Sequence, residues 1–207
     1  MIPLILDLSG RRVVIFGGGK VGLRKSRYFV DEADLVVISR DFLPDFHEAG
    51  LECIEKEISI LSDAEISDHI RGAVLVIAAT SDTAQNNRIR RICSAEEILF
   101  NNARGETGNV ILPSVVQGEN YQIAVSTGGK SPAVARYLRI LLEKECEGLD
   151  EMIRLQQELR AALRENPNSD EDRAVILREV LDDHNIWDLL TKDPEKARDL
   201  VIRKYCL

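Results

Sequence analysis

Apolar runs alternate with more polar, helix-compatible stretches through the first half of the chain. Most of these runs are rich in β-branched residues and have the length of buried strands. They lie at residues 12–16, 35–38, 51–58, 73–79 and 98–101. Helices are predicted over 20–30 and, after the cap sequence Thr80-Ser81-Asp82, through residue 93. Strands that alternate with helices in this way form parallel sheets with right-handed crossovers, so we predict an α/β fold with a Rossmann-like, doubly wound parallel sheet.

The next part of the chain has the pattern of a β-hairpin that lies outside this sheet. Residues 109–116 and 121–126 are extended in character, and residues 117–120 form a turn sequence between them. Apolar runs at 110–112 and 115–116 would leave exposed strand edges, which pair readily with another chain. We therefore expect a two-fold homodimer built from this hairpin and the helix after it.

The remainder of the chain is predicted to be helical. Ser131 suits an N-cap and Pro132 a first helical position for an amphipathic helix that continues to about residue 147. From residue 148 onward, apolar residues recur near the helical period, with a break at 166–169. The pattern thus divides the chain into a nucleotide-binding domain (1–112), a small hairpin and helix segment used for dimerisation (113–147) and a helical C-terminal domain (148–207).

A glycine turn between the first predicted strand and helix indicates a dinucleotide site. Gly17, Gly19 and Gly22 have the G-x-G-x-x-G spacing. The first glycine permits the tight turn, the second lets the backbone approach a pyrophosphate, and the third lets the helix pack against the sheet. The N–H groups of the helix start, at Lys20 and Val21, would then face the phosphates.

Polar residues at the carboxyl ends of the other strands are expected to share the ligand-binding edge of the sheet with this turn. Thr80 follows the fourth predicted strand, and residues 101–108 follow the fifth. Asp41, after the second strand, is a candidate partner for the ribose of NAD. Arg40 beside it is suited to a 2′-phosphate, so NADP remains an alternative to NAD.

Composition and charge exclude several classes of function. With 35 acidic and 27 basic residues, a net charge of −8 and a pI of about 5.0, the chain is not expected to bind nucleic acid or anionic membranes in general. It has no apolar run near the ~20 residues of a membrane span, and no signal peptide is expected. The four cysteines form no metal-ligand pattern, which predicts reduced thiols, a cytoplasmic location and no metal site.

A second glycine loop leads into the helix that begins near residue 132. Gly128 and Gly129 precede Lys130 and the N-cap Ser131, and Arg136 lies one turn into the helix. Backbone N–H groups at such a helix start can bind carboxylates, and the two cationic side chains would strengthen that binding.

Several motifs together resemble one family, the precorrin-2 dehydrogenases of sirohaem biosynthesis, including the amino-terminal part of sirohaem synthases. The motifs are Pro3-Leu4, the glycine turn through Lys25, 78–82 with Asn86, Asn101, 112–114 and 124–132. The resemblance implies a homodimer that oxidises precorrin-2, a tetrapyrrole, to sirohydrochlorin with NAD. Some members also insert ferrous iron into the product.

The resemblance also implies a set of site residues. A carboxylate-rich tetrapyrrole would contact the strand end and the second glycine loop. These substrate-binding candidates are Asn101, Ser126, Gly128, Gly129, Lys130, Ser131 and Arg136. Thr127 stands at the hydroxyl position that precedes the family's glycine pair.

One catalytic position departs from the family pattern. The family places an aspartate soon after the asparagine at the end of the fifth strand, and here Arg104 falls at that position. Glu106 is the one carboxylate of this loop sequence, and we predict that it replaces the aspartate as the base. Two alternatives remain open: a chelatase that inserts ferrous or cobaltous ion, and a non-catalytic protein that binds NAD or a tetrapyrrole.

Overall fold

The computed structural model describes residues 1–48, 51–165 and 170–206, which form two compact units. Five parallel strands form the centre of the first unit. The two units are Met1–Leu112 and Pro113–Leu207. The strands are β1 (Arg12–Gly18), β2 (Asp34–Phe42), β3 (Glu52–Glu55), β4 (Ala73–Ala78) and β5 (Leu99–Asn102). Their order in the sheet is β3-β2-β1-β4-β5. This confirms the predicted Rossmann-like sheet.

Two hydrophobic cores lie on opposite faces of this sheet because successive strand residues point to opposite sides. Val14 and Phe16 of β1 belong to one core, and Val13 and Ile15 belong to the other. The crossover helices are α1 (Lys20–Ser26), α2 (Asp45–Glu48), α3 (Asp63–Ile70) and α4 (Thr83–Ala95). Burial on both faces explains why the central strands read as continuous apolar runs.

Two predicted elements differ from the observed ones. The helix predicted over 20–30 ends at Ser26, where the Ser26 hydroxyl donates a hydrogen bond to the Leu23 carbonyl and tighter turns follow. The strand predicted over 51–58 is confined to β3, because the Glu57 side chain caps a short 3-10 helix at Ile58–Ile60. Helix α3 was not predicted, although Ser62 and Glu65 form a capping box at its start.

The second unit begins with the predicted hairpin. Its strands, β6 (Ser114–Gln117) and β7 (Gln122–Val125), pair antiparallel, with Val115 opposite Ala124. The hairpin forms a sheet separate from the first one, as predicted. Helix α5 (Pro132–Glu145) follows with Ser131 as its N-cap, which also confirms the prediction.

Helices complete the second unit. They are α6 (Leu149–Glu165), α7 (Asp170–Asp182), α8 (His184–Lys192) and α9 (Pro194–Tyr205). Met152, Leu155 and Leu159 of α6 are buried together with side chains of the later helices. The predicted break at 166–169 lies outside the described residues. Within the described residues, every helix is too short or too polar to cross a bilayer.

Candidate functional site

A cleft of about 470 Å³ lies along the edge of the first unit where the parallel strands end. The glycine turn, the ends of β2 and β4, and the segments after β3 and β5 contribute its walls. Seven of the eight predicted cofactor-binding residues line it, and the eighth, Gly22, lies under the turn. The seven are Gly17, Gly19, Lys20, Val21, Arg40, Asp41 and Thr80. The structure therefore brings together residues that were assigned to the cofactor from the glycine spacing and from their positions after the predicted strands.

The three glycines of the turn have distinct steric environments. Gly17 has a φ of +122°, and a Cβ at that position would lie 2.6 Å from the carbonyl oxygen of Ala79. A Cβ at Gly22 would lie 1.9 Å from the carbonyl oxygen of Gly17, so α1 packs against the turn itself. Gly19 is different, because a Cβ there would meet nothing within 4 Å. A cradle that is open at Gly19 and closed beneath Gly17 and Gly22 fits the pyrophosphate of a dinucleotide.

Charged side chains form a cluster at the β2 end of the cleft. Arg40 and Asp41 were predicted to lie beyond the strand, but β2 continues to Phe42 and includes both. Nε of Arg40 donates to Oδ2 of Asp41 over 2.7 Å, and Nη1 of Arg40 donates to Oε2 of Glu57 over 3.1 Å. The pKa of the Arg40 guanidinium is raised, chiefly by its hydrogen bond to Asp41.

Glu57 is a cleft residue that sequence reasoning missed. Its Oε1 accepts hydrogen bonds from the Ser59 hydroxyl and the Ser59 N–H, at 2.7 and 3.3 Å. The pKa of the Glu57 carboxyl is lowered, chiefly by the hydrogen bond from the Ser59 hydroxyl. The pattern of an acid two residues before a serine is a weak turn signal, and it carries no information about the contact with Arg40.

Asn86 joins the segments that follow β4 and β5. Its side chain is fully buried on α4, and its Oδ1 accepts hydrogen bonds from the Thr80 hydroxyl at 2.6 Å and the Thr80 N–H at 3.2 Å. Its Nδ2 donates to the carbonyl oxygen of Arg104 at 3.2 Å. One asparagine thus fixes Thr80 and the loop after β5 relative to each other.

The loop after β5 presents Arg104, and not Glu106, to the cleft. Ala103 and Arg104 belong to the cleft lining, whereas Glu106 does not. The Glu106 carboxylate forms an ion pair with Arg90 of α4 and is 60% exposed. Within the part of the chain that the structure describes, the Arg104 guanidinium has no ion-pair partner. The catalytic role of Glu106 stays a prediction, and it requires the carboxylate to leave Arg90.

Asn101 is held inside the first unit by both ends of its amide. Nζ of Lys25 donates to Oδ1 of Asn101 at 2.6 Å, and Nδ2 of Asn101 donates to the carbonyl oxygen of Val110 at 2.8 Å. Asn101 is only 7% exposed, and burial lowers the pKa of Lys25 to about 8. The predicted contact of Asn101 with the substrate stays a prediction. Its contact with Lys25 is a feature that the sequence did not reveal.

The second glycine loop, residues 126–131, is closed by hydroxyl groups. The Thr127 hydroxyl accepts from the N–H of Ser131 at 2.9 Å and donates to the carbonyl oxygen of Ser131 at 3.0 Å. Gly128 and Gly129 have φ values of +62° and +80°, which favour glycine. Oγ of Ser126 accepts from the N–H of Gly128 at 3.1 Å. The predicted residues of this loop therefore lie together in the second unit.

The family of the chain follows from its relatives. A family model described as "Putative NAD(P)-binding" matches residues 4–114, and one described as "Sirohaem biosynthesis protein central" matches residues 122–145. A precorrin-2 dehydrogenase of Methanosarcina barkeri is 39% identical over 207 residues, which cover 96% of this chain and 90% of that protein. This chain belongs to the precorrin-2 dehydrogenase family. A precorrin-2 dehydrogenase of Bacillus subtilis is 31% identical over 72% of this chain and 90% of its own.

Both units match the fold of the precorrin-2 dehydrogenase family. The solved structure of a protein named SirC, precorrin-2 dehydrogenase, superposes with a TM-score of 0.75 and covers 99% of this chain and all of its own, at 22% identity. The similarity to the Methanosarcina barkeri protein extends beyond the motifs at residues 1–145 into the helical tail. The tail is thus part of the family fold, although it carries few recognisable motifs.

Side chains that commonly bind metals are scattered through the structure. Among the described residues, no group of three or more His, Cys, Asp or Glu side chains is placed to hold a metal ion. Cys53, Cys93, Cys146 and Cys206 form no disulfide bonds with one another. Desolvation raises the pKa of Cys93 to about 12, which makes it an unreactive core residue.

Proposed function

We propose that this protein oxidises precorrin-2 to sirohydrochlorin, with NAD as the hydride acceptor. The observation that carries the proposal is the cleft at the strand ends, which is lined by the open glycine cradle and by the carboxylates of Asp41 and Glu57. This cleft occurs in a chain that belongs to the precorrin-2 dehydrogenase family. NAD supplies the redox chemistry, and the protein supplies binding, orientation and electrostatics.

The first unit would hold the cofactor through its backbone and the Asp41 carboxylate. The N–H groups of Lys20 and Val21 would serve the diphosphate at the start of α1. Asp41 lies at the end of β2, where an acid commonly binds the ribose hydroxyls of NAD. Thr80, whose hydroxyl is held by Asn86, also lines the cleft.

The second unit would hold the carboxylate groups of the tetrapyrrole. The loop around Gly128 and Gly129 is preorganised by the two hydrogen bonds between Thr127 and Ser131. Lys130 and Arg136 are exposed cations at the same end of α5. Charge-assisted hydrogen bonds to carboxylates are roughly twice as strong as neutral ones, so these side chains are suited to a polycarboxylate.

The remaining requirement is a group that accepts the proton lost by the macrocycle. We propose Glu106, because it is a carboxylate on the loop that also presents Arg104 to the cleft. In its pair with Arg90, the Glu106 side chain is 60% exposed, so the carboxylate can be hydrated when it leaves, whereas the Arg90 side chain is 31% exposed. Arg104 would then bind a carboxylate of the substrate.

The assembly proposed is a homodimer with a cytoplasmic location. An apolar stripe on α5 supports it, since its side chains recur at helical spacing and are between 38% and 61% exposed. The members of this α5 stripe are Val134, Tyr137, Leu138 and Leu141. A second copy of the chain is the partner that would cover it.

A paired assay tests the function. Purified protein is mixed with precorrin-2 and NAD without oxygen, and the absorption spectrum of sirohydrochlorin is followed. In parallel, sirohydrochlorin is mixed with ferrous or cobaltous ion and no NAD. Turnover in the first assay supports the dehydrogenase, and turnover confined to the second supports the chelatase. Binding of NAD without turnover in either assay would leave a non-catalytic binding protein.

A further inference from the structure

The cluster at the β2 end of the cleft joins residues that are distant in the sequence. Arg40 bridges Asp41 and Glu57, and the latter is 17 residues away. All three residues line the cleft, and together they carry one positive and two negative charges. The Arg40 guanidinium therefore faces two carboxylates, and the net charge of the cluster is negative.

Glu57 is the fixed member of this cluster. One of its oxygens accepts both hydrogen bonds from Ser59, and the other accepts the bond from Arg40. Its side chain is 33% exposed, whereas those of Arg40 and Asp41 are 71% and 76% exposed. The capping bonds thus hold a carboxylate in place against a guanidinium on a much more exposed side chain.

We propose that Glu57 determines the preference of this site for NAD over NADP. Arginine near the second strand is the side chain that accommodates the 2′-phosphate of NADP. Here Glu57 engages that arginine and adds a negative charge, which repels a phosphate but not a ribose hydroxyl. This inference rests on the proposed NAD site and assigns its selectivity to a residue outside the glycine turn and the β2 end.

Asp41 alone does not give the same selectivity. It lies next to Arg40 in the strand, and its exposed carboxylate can turn toward a ribose hydroxyl and release the guanidinium. Glu57 remains in place because Ser59 holds its other oxygen. The second carboxylate therefore keeps Arg40 engaged when Asp41 binds the ribose.

Equilibrium binding tests the proposal. Dissociation constants for NADH and NADPH are measured by nucleotide fluorescence in the wild type, Glu57→Gln, and Glu57→Gln combined with Arg40→Ala. Glutamine retains an oxygen for the Ser59 bonds, so the fold of this segment is kept. We expect Glu57→Gln to tighten NADPH binding by about tenfold, the size of one partly solvated charge interaction, and to change NADH binding by less than about threefold. The added Arg40→Ala should remove the gain.

A matched control is Glu55→Gln, which removes one negative charge from an exposed position on β3 outside the cleft lining. It should leave the ratio of the two dissociation constants unchanged. An unchanged ratio in Glu57→Gln, or a change equal to that of the control, would overturn the proposal. Failure of the wild type to bind either nucleotide would instead refute the NAD site on which the proposal rests.

Discussion

Nζ of Lys25 lies 2.6 Å from Oδ1 of Asn101, and this hydrogen bond joins α1 to β5 across 76 residues of sequence. Asn101 also donates to the carbonyl oxygen of Val110, so the same amide ties the segment that leaves the first unit to the sheet. Among the described residues, no carboxylate forms an ion pair with Lys25. Its buried charge is therefore carried at a cost in free energy.

The first prediction concerns this lysine and pH. The folded-state pKa of Lys25 is about 8 against an ordinary 10.5, so the unfolded chain binds more protons between these values. The free energy of unfolding should therefore rise with pH across this window, and the cost should be fully present below pH 8. Lys25→Met should lack this contribution. The shift implies roughly 2 kcal/mol between pH 7.5 and 10, and because the Lys25 side chain is only partly buried we expect the free energies of unfolding of the two proteins to diverge by about 1 kcal/mol. Urea unfolding at pH 7.5 and 10 measures it, and parallel profiles would contradict it.

The second prediction separates binding from folding within the glycine turn. Gly19→Asp adds a charged side chain to the open space that the pyrophosphate would fill, so it should abolish NAD binding. Because the side chain meets no protein atoms there, the melting temperature should stay close to that of the wild type. Gly22→Ala places a Cβ against the Gly17 carbonyl oxygen, so it should lower the melting temperature. Titration with NADH, followed by its fluorescence, measures binding, and thermal unfolding measures stability, so together they distinguish the two variants. If Gly19→Asp binds NAD as the wild type does, the nucleotide assignment is wrong.

The third prediction concerns the proposed base. Glu106→Gln should lower turnover by roughly 10²-fold, the usual scale for a general base, and leave the affinity for NAD nearly unchanged. Arg90→Gln is the matched control, because it breaks the same ion pair and keeps the carboxylate. It should retain turnover. Steady-state rates of sirohydrochlorin formation provide the measurement.

Equal effects of Glu106→Gln and Arg90→Gln would show that the pair only supports the loop. Arg104→Asp supplies the complementary test, since it restores an acid at a position that lines the cleft. If Arg104→Asp turns over much faster than the wild type and Glu106→Gln turns over at the wild-type rate, the catalytic acid belongs at position 104 and not at position 106.

The fourth prediction concerns assembly. The wild type should sediment as a dimer at micromolar concentration. Leu138→Glu places a charge within the α5 stripe, and it should shift the protein toward the monomer because a charge is costly to bury in an apolar interface. Lys144→Glu introduces the same side chain at another exposed position of α5, and it should remain dimeric. A monomeric wild type would refute the proposed assembly.

Features set by local pattern could be predicted from the sequence, and features set by distant contacts could not. The β-branched run of β1 and the spacing of Gly17, Gly19 and Gly22 are local, and both led to correct elements. The contact between Arg40 and Glu57 depends on how β2 and the segment after β3 meet in space. The length of α1 is an exception, because it depended on a local hydrogen bond from the Ser26 hydroxyl to the Leu23 carbonyl oxygen, which competes with helix continuation.

Asparagine side chains determine the shape of the loop after β5. Oδ1 of Asn102 accepts from the N–H of Arg104, Nδ2 of Asn86 donates to the carbonyl oxygen of Arg104, and Oδ1 of Asn87 accepts from the N–H of Glu106. The side chain of residue 104 contributes to none of these bonds. An acidic or a basic side chain can therefore occupy position 104 without loss of these hydrogen bonds, so the loop backbone presents whichever charge the sequence supplies.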